Sequence, residues 1–487
     1  MRITKPNNQI LTDRLLSSWI RCKRKAWLDL YENKERKIWV AHRSLELDHQ
    51  YRSLMAFAEQ KLSHGIESCH KGHENVIGIR LKMNNAFETQ LEGHPTLIHK
   101  REGKSYFGNF KYQPVIAKQG RRLTRKHRLL LTLWAFLLES FQKASVEEGL
   151  AISITNKGLN VLKVPITKTY KKQLIDSLKK LLEGLSQETA PNLTSDRKKC
   201  LLCPWKEVCD AKAKQEGNLS EINGIGAKRK EMLETIGINN LEELASADSK
   251  DVSEKLKVYG ESHGIIPAQI INQAEVQRDL IPKQINSGSI LAQIKNAPGV
   301  IIYDIESDPD INHDFLHGLT FIKRDKSNKW DAKKIEYKGI ISLPENNLKS
   351  SWEELNKEFQ CLNEWPILHY GETEYITICK LAKHLNISEN ESSLLKKRFF
   401  DIHKIIRIHW MLPVNSYGLK SVAKWLGFSW SQRNANGAQA LLWWRQWRSH
   451  KEDSKAKQNA LKNILQYNRD DCLATWEITK WLLKNKT

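Results

Sequence analysis

The sequence predicts a multidomain α/β protein, with two α/β domains on either side of a small helical one. Three observations carry that expectation. The chain has 487 residues, several times the roughly 150 of an ordinary domain. Residues 300–487 alternate strand-like and helical runs and hold 11 of the 16 Trp. Residues 218–275 read as short helices around a Gly-rich turn. Ahead of them, residues 1–215 open on an amphipathic helix, with Leu15, Trp19 and Cys22 on one face, and close on a cysteine cluster. The expected domains are 1–215, 216–285 and 286–487.

An apolar fraction of 40% supplies packed cores and excludes a wholly disordered chain. The formal charge of +22 is unevenly placed: residues 1–200 carry 37 Lys and Arg against 19 Asp and Glu, while residues 201–400 carry 26 against 31. A positive field concentrated in the first 200 residues attracts polyanions. By itself it does not separate nucleic acid from an anionic membrane. The opening MRITKPNNQILTDR is polar throughout, and no apolar run approaches the roughly 20 residues that span a bilayer. A cytoplasmic protein with no membrane partner is expected, and its eight Cys read as thiols or metal ligands before disulfides.

The apolar run Val300-Ile301-Ile302-Tyr303 is a buried-strand signal, and Asp304 and Glu306 follow directly. Residues i and i+2 of a strand face one side, so both carboxylates project together and repel unless a cation lies between them. Near the C-terminus, Tyr467 and Asp471 are four apart and share a helical face. Between them lies His369-Tyr370-Gly371-Glu372-Thr373-Glu374. This order of acid-x-acid, mid-domain acid and Tyr-x-x-x-Asp resembles the DnaQ-like exonucleases of the RNase H-like fold. His-Tyr-Gly-x-x-Glu and Tyr-Asn-x-x-Asp-x-x-Ala-Thr bring it closest to the YprB-type branch. The resemblance implies a mixed-sheet α/β domain in which Asp304, Glu306, Glu374 and Asp471 hold two divalent ions, Mg²⁺ or Mn²⁺. It also implies that Tyr467 orients the attacking water. Glu374 stands where most DnaQ-like enzymes carry Asp. Glu372 and Asp470 compete with Glu374 and Asp471 for these roles, and Asp401 reads as supporting.

Cys200-x2-Cys203-x5-Cys209 has ligand spacing, and Cys22 lies far upstream among basic residues. One remote Cys followed by C-x2-C-x5-C resembles the iron–sulfur staple of RecB-like nucleases, which implies a [4Fe–4S] cluster. Spacing alone leaves a four-cysteine Zn²⁺ site open. If residues 1–215 form such a restriction-endonuclease-type α/β domain, Thr96 and Ile116 occupy its two acid positions and only Lys118 remains. The fold is then expected without hydrolysis, as a binding module that presents Arg121, Arg122 and Arg125 to nucleic acid.

Ile222-Asn223-Gly224-Ile225-Gly226-Ala227-Lys228-Arg229 resembles a helix-hairpin-helix motif. Gly224 and Gly226 would let backbone N–H groups approach phosphates, while Lys228 and Arg229 add charge. In this order the three parts resemble a bacterial family of RecB-type nucleases. The implied activity is metal-dependent exonuclease cleavage of DNA from the 3′ end; polarity comes from the resemblance alone. Two other readings stand beside it: a non-catalytic nucleic-acid-binding scaffold, and an RNase H-like endonuclease acting on RNA or an RNA–DNA hybrid. No protein partner is indicated.

Overall fold

Val300, Ile301 and Ile302 lie fully buried in the centre of a five-stranded sheet in the computed structural model. The model describes residues 10–86, 89–120, 122–155, 157–287, 291–346, 348–432, 435–449 and 454–485. Two compact units result, Met1–Lys212 and Ala213–Thr487. The helical stretch expected at 216–285 thus belongs to the same unit as the C-terminal sheet. Among the described residues no helix is long and apolar enough to cross a membrane.

The second unit's sheet runs in the order Trp330–Ile341, His313–Arg324, Gly299–Asp308, Ile367–His369, Phe399–Asp401. The first three strands form an antiparallel meander, and the last two add in parallel. The parallel strands need covered crossovers, which the helices Leu348–Cys361 and Thr373–His384 supply. One sheet face packs on Trp352, Leu355 and Phe359, and the other on Cys472, Ala474, Trp476 and Ile478 of the final helix Lys455–Lys484. The central strand outlasts its parallel neighbour. Its last rung with Ile367–His369 is Ile302↔Leu368, whereas its antiparallel pairing continues through Asp304↔Gly318 and Glu306↔Leu316. The two acids therefore lie inside a strand, where the parallel half of the sheet has already ended. That opens a notch above them.

Gly318 fixes how closely the final helix approaches that notch. A Cβ built there would lie 1.6 Å from Asn468 Oδ1, so the residue opposite Asp304 must have no side chain. Gly318→Ala is expected to lower stability by about 1–3 kcal/mol through overpacking. The urea midpoint of the full chain reads this, and an unchanged midpoint would show that the helix can simply slide.

In the first unit a six-stranded sheet runs Ser63–His64, Asn75–Ile77, Leu97–Ser105, Gly108–Ala117, Glu148–Thr155, Gly158–Pro165. Gly108–Ala117 and Glu148–Thr155 are parallel. Between them crosses the apolar helix Arg125–Gln142, whose first turn is capped by the Thr124 hydroxyl accepting from His127 N–H. The opening helix stops earlier than its pattern predicts. It covers Asp13–Arg21, and Cys22 is extended (φ −163°) between it and a second helix, Lys23–Tyr31. At the break Cys22 lines one cavity with Cys200 and Cys203, in and at the end of the short helix Arg197–Leu202, and with Cys209 of the helix Lys206–Gln215.

Candidate active site

Three carboxylates meet in the notch. Oxygens of Asp304, Glu306 and Asp471 all lie within 4.8 Å of one another, two from one face of the central strand and one from the final helix. Two of them are held by neighbours. Asn468 Nδ2 donates to Asp304 Oδ2 at 2.7 Å, while Asn468 Oδ1 accepts from the Tyr337 hydroxyl at 2.9 Å. Trp430 Nε1 donates to Asp471 Oδ1 at 2.6 Å. Tyr467, one turn before Asp471 and buried, hydrogen-bonds to the same carboxylate.

The adjacent aspartates separate, and Asp471 is the one in the trio. Asp470 points elsewhere, accepting from Ser431 N–H at 2.8 Å and Gln466 Nε2 at 2.9 Å. Glu374 and Glu372 separate in the same way. Glu372 is exposed at the start of the helix Thr373–His384, whereas Glu374 is buried in its first turn. Glu374 Oε2 has no hydrogen-bond partner and lies 3.7 Å from His369 Nδ1. Its charge is felt at Asp304 and Glu306, although its oxygens lie outside the tight trio. Asp401 supports the turn between them, accepting from Gly371 N–H at 3.1 Å and from Lys404 N–H.

The trio is electrostatically unfavourable by itself. Burial, followed by Asp471, Glu306 and Glu374, pushes Asp304 well above the usual carboxylate range. Burial and Asp471 do the same to Glu306, and burial raises Asp471 to about 6. Hard oxygen donors, crowded, buried and partly unpartnered, fit a hard divalent cation. A raised carboxyl keeps its proton in the folded state after the unfolded chain has lost it, so stability falls as pH rises. Metal-free protein should therefore lose stability from about pH 4 upward through the folded value of Asp471, at about 1.4 kcal/mol per pH unit for each proton retained. Asp471→Asn should flatten that slope and raise the Tm in EDTA at neutral pH. A lower Tm for the variant would contradict the repulsion.

Some residues around the site were not singled out in the sequence. Lys420 lies close enough to Asp471 and Glu306 to oppose their repulsion, and its ammonium sits 5.0 Å from the Tyr467 ring. It comes from the short helix Leu419–Trp425, and no motif marks it. Asp308, one strand position pair beyond Glu306, is buried but already paired with Arg445 at 3.1 Å.

The other expected residues gather at separate places. Cys22, Cys200, Cys203 and Cys209 line one cavity together with Arg21, Arg24 and Arg197. Burial raises the Cys200 thiol to about 11 and also raises Cys203 and Cys209, while Arg197 opposes the shift at Cys200. Thr96 and Ile116 offer no carboxylate, and Lys118, 1% exposed, donates to Gly120 O. Nearby Glu92 is buried but held by Arg80 through two bonds of 2.7 and 2.6 Å. Arg122 and Arg125 are exposed; Arg121 lies outside the described residues. Gly224 takes φ +91°, Gly226 caps the helix Ala227–Thr235, and both are exposed with Lys228, while Arg229 donates to Gly224 O.

A mixed sheet with a three-strand antiparallel meander, two parallel additions and acids on its central strand defines the RNase H-like class of α/β folds. The model of the RNase H superfamily matches residues 301–483, so this region is an RNase H-like domain. No curated protein matches the chain. Among solved structures, the chain is similar to one titled "Crystal structure of SSO0001", at 16% identity over 43% of this chain and 89% of that chain, with a TM-score of 0.27.

Proposed function

We propose that the protein is a metal-dependent nuclease whose C-terminal domain removes nucleotides from DNA, 3′ to 5′. The convergence of Asp304, Glu306 and Asp471 within 4.8 Å carries this reading, and the RNase H superfamily match supports nucleic acid as the substrate. Two divalent ions held by these residues and Glu374, Mg²⁺ or Mn²⁺, would supply the charge that offsets an in-line phosphoryl displacement. The chain's own residues supply position. Asn468 fixes the rotamer of Asp304, and Trp430 fixes that of Asp471. The buried Tyr467 hydroxyl, held by Asp471, orients the attacking water. Lys420 keeps a positive charge at the rim, where the phosphate would arrive.

The first unit and the turn at Gly224 and Gly226 act in this reading as grips on the strand, with Lys228, Arg229, Arg122 and Arg125 contacting phosphates. The cysteines hold a [4Fe–4S] cluster, with Zn²⁺ the alternative. Four thiolates lining one cavity suit either metal group.

The decisive assay is full-length protein with Mn²⁺ or Mg²⁺ against single- and double-stranded DNA and RNA labelled at either end. Stepwise shortening of 5′-labelled DNA supports the proposal. Cuts within RNA or a hybrid would replace it with endonuclease action, and no cleavage of any substrate would leave a binding scaffold. Lys118→Ala should leave the rate within about twofold of wild type, since a lone ammonium without carboxylates holds no divalent ion. Loss of cleavage in that variant would place a working site in the first unit.

A further inference from the structure

A second cavity in the first unit, about 620 Å³, opens beside the cysteine site. Six cations line it: Arg21, Lys23, Arg24, Arg125, Lys180 and Lys199. No Asp or Glu is among the lining residues. Arg21 donates to Lys199 O at 3.0 Å and Arg24 to Pro191 O at 2.8 Å, and Arg24 also hydrogen-bonds the Cys209 thiol. Arg125 donates to the Ser177 hydroxyl at 3.4 Å. Among the described residues, only Lys199 of the six has a carboxylate within 4.0 Å, the half-buried Asp196 at 3.5 Å. Arg24 is 7% exposed, and its Nε is buried without a partner.

On the neighbouring helix, burial lowers the Lys126 ammonium; Glu46 opposes the shift, and Arg21 with Arg43 and Lys25 adds to it. Arg21, Arg24 and Lys199 also line the cysteine cavity, whose thiolates would balance part of this charge. Lys23, Arg125 and Lys180 line only the larger cleft, and holding them together costs free energy unless an anion enters. The cavity also has an aromatic wall. Trp19 lies against the bare backbone of Gly184, where a Cβ would come within 2.1 Å of its ring, and Lys23 sits 5.7 Å from that ring. Cations that track a backbone beside an aromatic face form the arrangement that binds single strands, with phosphates on the charges and a base on the ring. The volume suits about a nucleotide-sized segment.

We infer that this cleft binds the phosphates of a single nucleic-acid strand, with Lys23, Arg125 and Lys180 as exposed contacts, Arg24 as the buried one and Trp19 as a stacking wall. The inference rests on the nuclease reading only for the kind of polyanion. It differs from a merely basic surface in being one local site, and its test turns on that difference.

Binding of a short fluorescent oligodeoxythymidine to the full chain is measured by anisotropy in EDTA, so that no cleavage enters. Lys23→Glu with Lys180→Glu should weaken binding by at least about tenfold and lower the salt slope by about two. Lys157→Glu with Lys163→Glu, which makes the same charge change on the hairpin at Gly158–Pro165, should change it by less than about threefold. Trp19→Leu should weaken binding with the salt slope unchanged, since stacking releases no counterions. Equal losses in the two double variants would overturn the site and leave only diffuse charge. Displacement of the strand by inorganic pyrophosphate at equimolar phosphate would overturn the strand and assign a small-anion pocket. Because cleavage is not read, failure of the nuclease assay leaves this result standing, and failure here leaves the carboxylate site untouched.

Discussion

Asp304→Asn is expected to lower metal-dependent cleavage by about a thousandfold or more while leaving affinity for the uncut strand within about twofold. The amide keeps the shape and can still meet Asn468, but it removes a negative donor from a trio whose members lie within 4.8 Å of one another and whose charge would hold the ions that stabilise the transferring phosphoryl group. Asp471→Asn behaves alike. Tyr467→Phe keeps the aromatic packing and loses only the hydroxyl that bonds Asp471, so its rate falls less, by about tenfold to a hundredfold. Single-turnover rates together with anisotropy in Ca²⁺ separate chemistry from binding. Wild-type cleavage by Asp304→Asn would remove the site from consideration.

Cys203→Ser is expected to cost the first unit its soluble fold and the protein its colour. The four cysteines tie the break after the opening helix, at Cys22, to the loop and helix near residue 200. A metal group that joins positions about 180 residues apart contributes to folding directly, on the order of 10 kcal/mol for structural zinc. Anaerobically purified wild type should be brown, with about four irons per chain on metal analysis. Stoichiometric zinc in colourless protein would keep the quartet and change the metal. A soluble, metal-free wild type would leave three buried thiols and the half-buried Cys22 without a ligand.

The strand under Asp304 and Glu306 was legible because an apolar run with acids at i and i+2 admits few other readings. The choice of Asp471 over Asp470 followed from helical spacing, and the structure turns Asp470 toward Ser431. What sequence could not supply is geometry set by distant partners. Asn468 reaches Asp304 from 164 residues away, and Trp430 and Lys420 come from a segment with no recognisable pattern. The amphipathic pattern through Cys22 continued past the point where the helix ends, because the chain turns there to bring a thiol to its partners. The helical stretch near residue 225 lies in the second compact unit. Gln273 Nε2 donates to Leu412 O at 2.9 Å, and this long-range link within the second unit has no local signature.

Gly318 has a consequence for how such a site can be mapped. Surveys that probe a protein by trimming side chains find function where atoms are taken away, and at this position there is nothing to trim. Its contribution is a missing methyl, the room into which Asn468 fits, and through Asn468 the orientation of Asp304. Libraries that only delete would record the residue as silent, whereas libraries that only add would record a stability defect on the strand beside the acids. The two would disagree about one residue, and the disagreement itself would mark where the backbone, by leaving space, sets the position of a charge.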